Sequence, residues 1–185
     1  MLLLKVQAGS RLYGYATDTS DDDYYEVHTD RFMIETRDLP RDSRQTIVDG
    51  VDVTQVTLSS FMERASVGSH QALDAMFAAE PEVDLISAFR ASYRAGFEVI
   101  PAYERIITKF AVQATFRKQR HALRALFNLQ DMLESGRYKP ELSEERIEFV
   151  MEHARLPYPE FRKLLLRISP IELAHALPEQ AQPAK

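Results

Sequence analysis

The chain contains no cysteine, which excludes disulfide frameworks, thiolate zinc sites and cysteine nucleophiles together, and fits a reducing compartment. Long apolar runs are also missing. The run at its N-terminus, Leu2-Leu3-Leu4, is far too short for a secretory signal or a membrane span. A soluble, cytoplasmic protein with no membrane partner is therefore expected. With 6 Gly and 9 Pro in 185 residues, collagen-like, mucin-like and wholly disordered chains are excluded. No internal repeat is visible. What remains is an ordinary globular composition, 45% apolar and 28% charged, of a size for one large domain or a small core with a helical appendage.

An excess of positive charge is absent as well: 23 basic against 28 acidic residues give a net charge of −5, so the whole chain is not a basic nucleic-acid coat. The charge is unevenly placed, however. Residues 1–52 hold 6 Lys/Arg against 11 Asp/Glu, a net of −5, whereas residues 104–124 hold 6 Lys/Arg against Glu104 alone, a net of +5. An acidic end and a basic stretch suit a site for divalent metal and polyphosphate, although a solvated helix face reads the same way from charge alone.

The first third reads as strands and loops, the rest as helices, so the expected class is α+β. Leu2–Ala8 is a short strand entering a Gly9-Ser10 turn, Tyr24–His28 is β-prone, and Arg31–Glu35 is a further candidate. Thr36–Gly50, polar and carrying Pro40 and Gly50, reads as a loop, and Val51–Leu58 alternates as a strand. Two short helices are expected around the Val67-Gly68-Ser69 break, then helices near 84–96, 98–112 and 113–134. The last carries a Phe116, Leu123, Leu126, Phe127 and Leu133 stripe and a Ser135-Gly136 stop. Ser143-Glu144-Glu145-Arg146 opens one more helix, Tyr158–Ile168 forms another, and 178–185 reads as a disordered tail.

The chemistry concentrates in Gly9–Tyr24. Side chains two apart on a strand share a face, so Asp21 and Asp23 are expected on one side and Asp22 on the other. Two convergent carboxylates make a hard oxygen site, suited to Mg²⁺ or Mn²⁺ rather than zinc. A Gly-Ser turn about ten residues upstream offers amides and a hydroxyl to phosphate oxygens. Taken singly, a Gly-Ser is usually a turn and an Asp triplet a solvated loop; the spacing after a short strand makes them constrain each other.

Gly9, Ser10, Tyr13, Gly14, Ala16, Thr17, Ser20, Asp21 and Asp23 fall on a Gly-Ser-x-x-x-Gly-x-x-Thr-x-x-Ser-Asp-x-Asp string. That string resembles the DNA polymerase β-like nucleotidyltransferase superfamily, in its branch of predicted nucleotidyltransferases associated with RNA ligases. Downstream, Val51-Asp52-Val53-Thr54, Leu58–Arg64, Leu73-Asp74-Ala75-Met76-Phe77 and the helical Lys118, His121, Arg124 are similar to later family elements. Gly68-Ser69-His70 stands where the family has Asn-Pro, and Asp74 stands for its Glu. The likeness spans about 9–136.

The resemblance implies a small mixed nucleotidyltransferase sheet with flanking helices as catalytic core over 1–80, and a helical region packing on it over 81–177. It implies transfer of NMP from an NTP to a hydroxyl, an RNA end first among acceptors, with pyrophosphate leaving. Two Mg²⁺ or Mn²⁺ ions, roughly 3.5–4 Å apart in such sites, would be held by Asp21, Asp23 and Asp52, with Asp52 also helping to orient or deprotonate the acceptor. Asp49 and Glu35 are the alternatives to Asp52. Gly9, Ser10 and Arg11, with Lys118, His121 and Arg124, would hold the triphosphate.

Arg37, Arg41 and Arg44 could meet acceptor phosphates or be solvated. Tyr13, Tyr15, Tyr24 and Tyr25 could stack a base or pack. His28, His70, His153 and His175 show no paired ligand spacing and read as structural or surface residues. Protein AMPylation and non-catalytic nucleotide or RNA binding are the rival readings.

Overall fold

In the computed structural model the described residues are 1–16, 21–30, 43–48, 50–78 and 83–181. Alternation in the first strand sets the pattern: in β1 (Leu2–Ala8), Leu4 and Val6 are buried while Lys5 and Gln7 are exposed. With β2 (Asp23–His28), β3 (Ser43–Val48) and β4 (Val51–Thr57) it forms a four-stranded sheet in the order β1-β2-β4-β3. β1 and β3 run antiparallel to their neighbours, whereas β2 and β4 are parallel, so the sheet is mixed. The class is α+β, as the pattern of strands followed by helices predicts.

One expectation is corrected here. Residues 43–48 fall in the stretch read as a loop, yet they form an edge strand paired along β4. Their polarity hid them: an edge strand is held by backbone hydrogen bonds and needs no apolar face, and its Ile47 is 77% exposed. The strand expected at Arg31–Glu35 lies outside the described residues.

Residues 23, 25 and 27 of β2 share a face with 52, 54 and 56 of β4. On that face Val6, Tyr25, Val27 and Val56 are buried. Helix α1 (Gly9–Leu12) is a single turn; α2 (Leu58–Ser66) begins at Thr57, whose side chain caps Ser60 N–H at 3.2 Å. Phe61 of α2 is fully buried, its ring 6.1 Å from Tyr25. Burial of a side chain of this size is worth about 1.5–3 kcal/mol. After a left-handed Gly68, α3 (His70–Ala78) buries Leu73 and Met76, and α4 (Asp84–Ser92) buries Ile86.

The opposite face carries one polar row across all four strands: Lys5, Glu26, Gln55 and Arg44. Lys5 pairs with Glu26 at 3.1 Å, Gln55 donates to Glu26 at 2.8 Å, and Arg44 donates to Gln55 Oε1. Burial alone would raise the Glu26 carboxyl, but hydrogen bonds from Gln55, His28 and Lys5 outweigh it and hold it below its ordinary range.

Two compact units divide the chain, 1–93 with 139–141, and 94–138 with 142–185; α4 thus belongs to the first. In the second, a 3₁₀ turn (Phe97–Val99) leads into α5 (Ile100–Ala111). Helix α6 (Phe116–Ser135) is capped by the Thr115 hydroxyl and stopped by Gly136 in the left-handed conformation. Helices α7 (Glu144–His153) and α8 (Tyr158–Ile168) follow. Tyr103, Ile107, Leu123, Leu126, Leu129, Met132, Phe161 and Leu165 form its core. Arg146 clamps Asp131 with both contacts at 2.7 Å. Of the tail expected over 178–185, the last four residues lie outside the described ones. No described helix is long and apolar enough to cross a membrane.

Candidate functional site

The site begins where β1 ends. Gly9 follows Ala8 with φ +67°, a conformation that L side chains rarely adopt, and opens the single turn of α1, with Ser10 next. The turn closes on itself, with Tyr15 N–H donating to Ser10 O at 3.3 Å. A close approach also favours glycine at position 9. A Cβ there would fall onto Asp23 Oδ2, so the carboxylate and the turn backbone occupy adjoining space.

Register carries the acidic row further. Ala8 pairs with Asp23, Asp23 with Asp52, and Asp52 with Ile47. Asp23 and Asp52 therefore sit side by side on parallel strands, at the N-terminal ends of β2 and β4 and on the helix-bearing face. Asp52 N–H also donates to Asp22 O at 3.2 Å, extending the ladder. On the side chain of Asp52 the two oxygens differ. Oδ2 accepts from Gln45 Nε2 at 2.6 Å, whereas Oδ1 is buried without a hydrogen-bond partner among the described residues. A buried acceptor without a donor costs about 1–3 kcal/mol, and a cation or hydroxyl supplied from outside would relieve it.

Asp21 is exposed and precedes β2, which starts at Asp23. Asp22 turns to the other side, as alternation predicts, where Arg11 Nε meets it at 2.6 Å and Gln7 donates at 3.3 Å. Arg11 is thus held by Asp22. Among the described residues no group of three or more His, Cys, Asp or Glu is arranged to hold a metal; the register brings together the pair Asp23 and Asp52. Oxygen-only donors of this kind fit Mg²⁺ or Mn²⁺, since Mg²⁺ is commonly held by one or two carboxylates with substrate phosphates and water completing the shell. Thr17, Ser20, Glu35, Arg37, Arg41 and Asp49 lie outside the described residues.

The tyrosines divide. Tyr13 is buried and donates to Asp74 Oδ2 at 2.5 Å, tying the segment after α1 to α3, and Asp74 is only 2% exposed. Tyr15 packs on Tyr13 at 5.6 Å. Tyr25 is core, and burial pushes its phenol up to about 12 against the opposing charge of Arg64. Tyr24 is half-buried, with Lys5 over its ring at 4.6 Å.

Lys118, His121 and Arg124 belong to the helical unit, and α6 aims them differently. Six residues turn about 600°, 120° short of two further turns, so Lys118 and Arg124 cannot share one edge. Arg124 is 1% exposed and donates to Asn128 Oδ1 at 3.1 Å. His121 packs against Phe110, the rings tilted with centroids 5.2 Å apart, and Lys118 Nζ lies over the same Phe ring at 5.4 Å. Burial, then the positive charges of Arg124, Arg120, Lys118 and Arg117, drives the His121 imidazole down to about 3. It is therefore neutral at pH 7.

The remaining histidines are half-buried or paired: His28 with Glu26 at 3.1 Å, His153 stacked on Phe149 at 4.0 Å, and His175 with Glu104 at 2.9 Å. His70 starts α3. Sequence reasoning missed Gln45 and the Tyr13–Asp74 bond. Tyr13 and Asp74 lie 61 residues apart, and Gln45 reaches Asp52 through a polar edge strand that no apolar alternation marks. A scan against protein-family models, a search of curated proteins and a search of solved structures each returned no match.

Proposed function

We propose that this protein is a metal-dependent nucleotidyltransferase that moves NMP from an NTP to a hydroxyl, with an RNA end, such as that of a tRNA, as acceptor. The observation that carries the reading is the conjunction at the edge of the sheet. A left-handed glycine turn lies against the Asp23 carboxylate, and Asp23 is in register with an Asp52 whose Oδ1 is buried without a hydrogen-bond partner among the described residues. The motif resemblance and the mixed sheet with helices on one face support the same reading.

The residues divide the work. The reaction is an in-line displacement: the acceptor oxygen bonds to the α-phosphorus, the bond to the β-phosphate breaks, and pyrophosphate leaves. Gly9 and Ser10 would offer the turn backbone and a hydroxyl to the triphosphate. Asp23 and Asp52 would hold Mg²⁺ or Mn²⁺, with Asp21 as a further ligand for a second ion. Bound there, the two ions would stabilise charge on the attacking and leaving oxygens. Gln45 fixes Asp52 through Oδ2, which leaves Oδ1 to face a cation or accept the proton of the acceptor hydroxyl.

The test is incubation with each α-labelled NTP, Mg²⁺ or Mn²⁺, and either total RNA or protein extract. Label in RNA supports the reading. Label in protein alone transfers the assignment to AMPylation, and label in neither overturns catalysis in favour of nucleotide or RNA binding.

A further inference from the structure

The helical unit concentrates positive charge at one corner, where the end of α5 meets the start of α6. Lys109 and Arg117 are exposed there, Lys118 and Arg120 are half-exposed, and Arg155, just past α7, is exposed. Two phenylalanines lie among them. Phe110 carries Lys118 over its ring, and Phe116 carries Arg120 at 4.8 Å and Arg155 at 4.6 Å. Both rings keep part of their surface in solvent.

The first turn of α6 holds no acidic residue and instead bears Arg117 and Lys118, with Arg120 soon after. Cations at the positive end of a helix are disfavoured, whereas anions there are stabilised. Two cations in that first turn, on a chain of net charge −5, suit a surface that meets negative charge from outside. Aromatic rings interleaved with those cations point to an unpaired strand in particular. Unpaired bases stack on such rings, while a duplex presents chiefly phosphates.

We propose that this corner is a binding surface for single-stranded RNA, with backbone phosphates on Lys109, Arg117 and Lys118 and an unpaired base on the layer formed by Arg155 and Phe116. The choice of RNA among single strands rests on the proposed transferase reading; the surface itself does not.

The experiment uses the full chain and a fluorescein-labelled, unstructured RNA of about 20 nucleotides, followed by anisotropy between about 50 and 200 mM KCl. Lys109→Gln with Lys118→Gln should weaken binding about tenfold and flatten the slope of log K against log salt by about 1.4, the single-strand value for two phosphate contacts. Lys109→Arg with Lys118→Arg should restore both. Phe116→Leu should weaken binding with the slope unchanged, and Arg167→Gln, an exposed cation on α8, should change neither. Thermal melts check that each variant is folded.

Unchanged affinity in the folded double Gln variant overturns the surface. So does competition by heparin or duplex RNA that matches the single strand, charge for charge. Transfer and binding, read separately on the parent protein and the corner variants, distinguish the two proposals: RNA binding by the parent without any transfer sinks the transferase and leaves the surface standing, whereas transfer to RNA with binding indifferent to the corner does the reverse.

Discussion

Gly9 and Gly50 provide a matched pair for testing the site. Both are left-handed, with φ +67° and +81°, but a Cβ at Gly50 meets nothing within 4 Å, whereas one at Gly9 overlaps Asp23 Oδ2. Gly50→Ala should therefore cost only the left-handed penalty, about 1 kcal/mol. Gly9→Ala adds to that the displacement of the Asp23 carboxylate, the end of a flexible side chain, which costs about 0.5–1.5 kcal/mol if it is forced off its rotamer, for a total of about 1.5–2.5 kcal/mol. Urea denaturation of both variants at pH 7 measures the difference as a change in midpoint at constant slope. The double variant Gly9→Ala/Asp23→Ala isolates the contact. With the carboxylate gone, the Gly9 penalty should fall to that of Gly50, a coupling of about 0.5–1.5 kcal/mol. Transfer by Gly9→Ala should also fall, because the displaced carboxylate belongs to the proposed metal pair. Equal penalties at the two glycines, or no coupling to Asp23, would refute the close approach on which the site is built.

Three further outcomes are expected. Asp52→Asn should leave NTP binding largely intact while transfer falls at least about 10²-fold, measured by steady-state kinetics; Asp23→Ala should abolish transfer, and activity surviving in both would sink the carboxylate mechanism. Tyr13→Phe removes a charge-assisted bond to a buried carboxylate and should cost about 1.5–3 kcal/mol in denaturant; a cost under about 0.5 kcal/mol would mean the bond does not hold the turn to α3. His121 is held neutral in the fold down to about 3 while the unfolded chain protonates near 6.5. Its contribution to stability is thus complete above about 6.5 and is lost as pH falls toward 3, approaching about 1.4 kcal/mol per pH unit. The stability difference between the parent and His121→Gln should shrink across that window, and a difference constant from pH 7 to 4 would contradict the burial argument.

Local pattern was enough for several elements. Leu2–Ala8 and Tyr158–Ile168 match their strand and helix bounds, and Gly136 and Pro140 follow the end of α6 as stop signals do. These features are encoded within a few residues, by alternation, by a 3.6-residue period or by a residue that tolerates left-handed backbone. The approach of Asp52 to Asp23 was expected only through the family resemblance, because nothing local fixes which strand lies beside β2. β3 stayed hidden since edge pairing leaves no apolar trace, and Gln45 with it.

The sequence by itself determined the class, the stop of α6 at Gly136, the Gly9-Ser10 turn and the acidic segment that follows, whereas the helix expected near 84–96 ends at Ser92 and the one expected near 113–134 begins at Phe116. Tertiary structure alone decided which of those acids meet. The parallel register of β2 on β4 selects Asp23 and Asp52, and the start of β2 at Asp23 leaves Asp21 outside the strand. The packing of α6 sends Arg124 inward and leaves Lys118 at the surface. The physical reason is common to all three. Charge and periodicity state what a side chain prefers, but its neighbours are set by the burial of Tyr25, Val27, Phe61 and Leu123, and those contacts join residues that no short window of the chain contains.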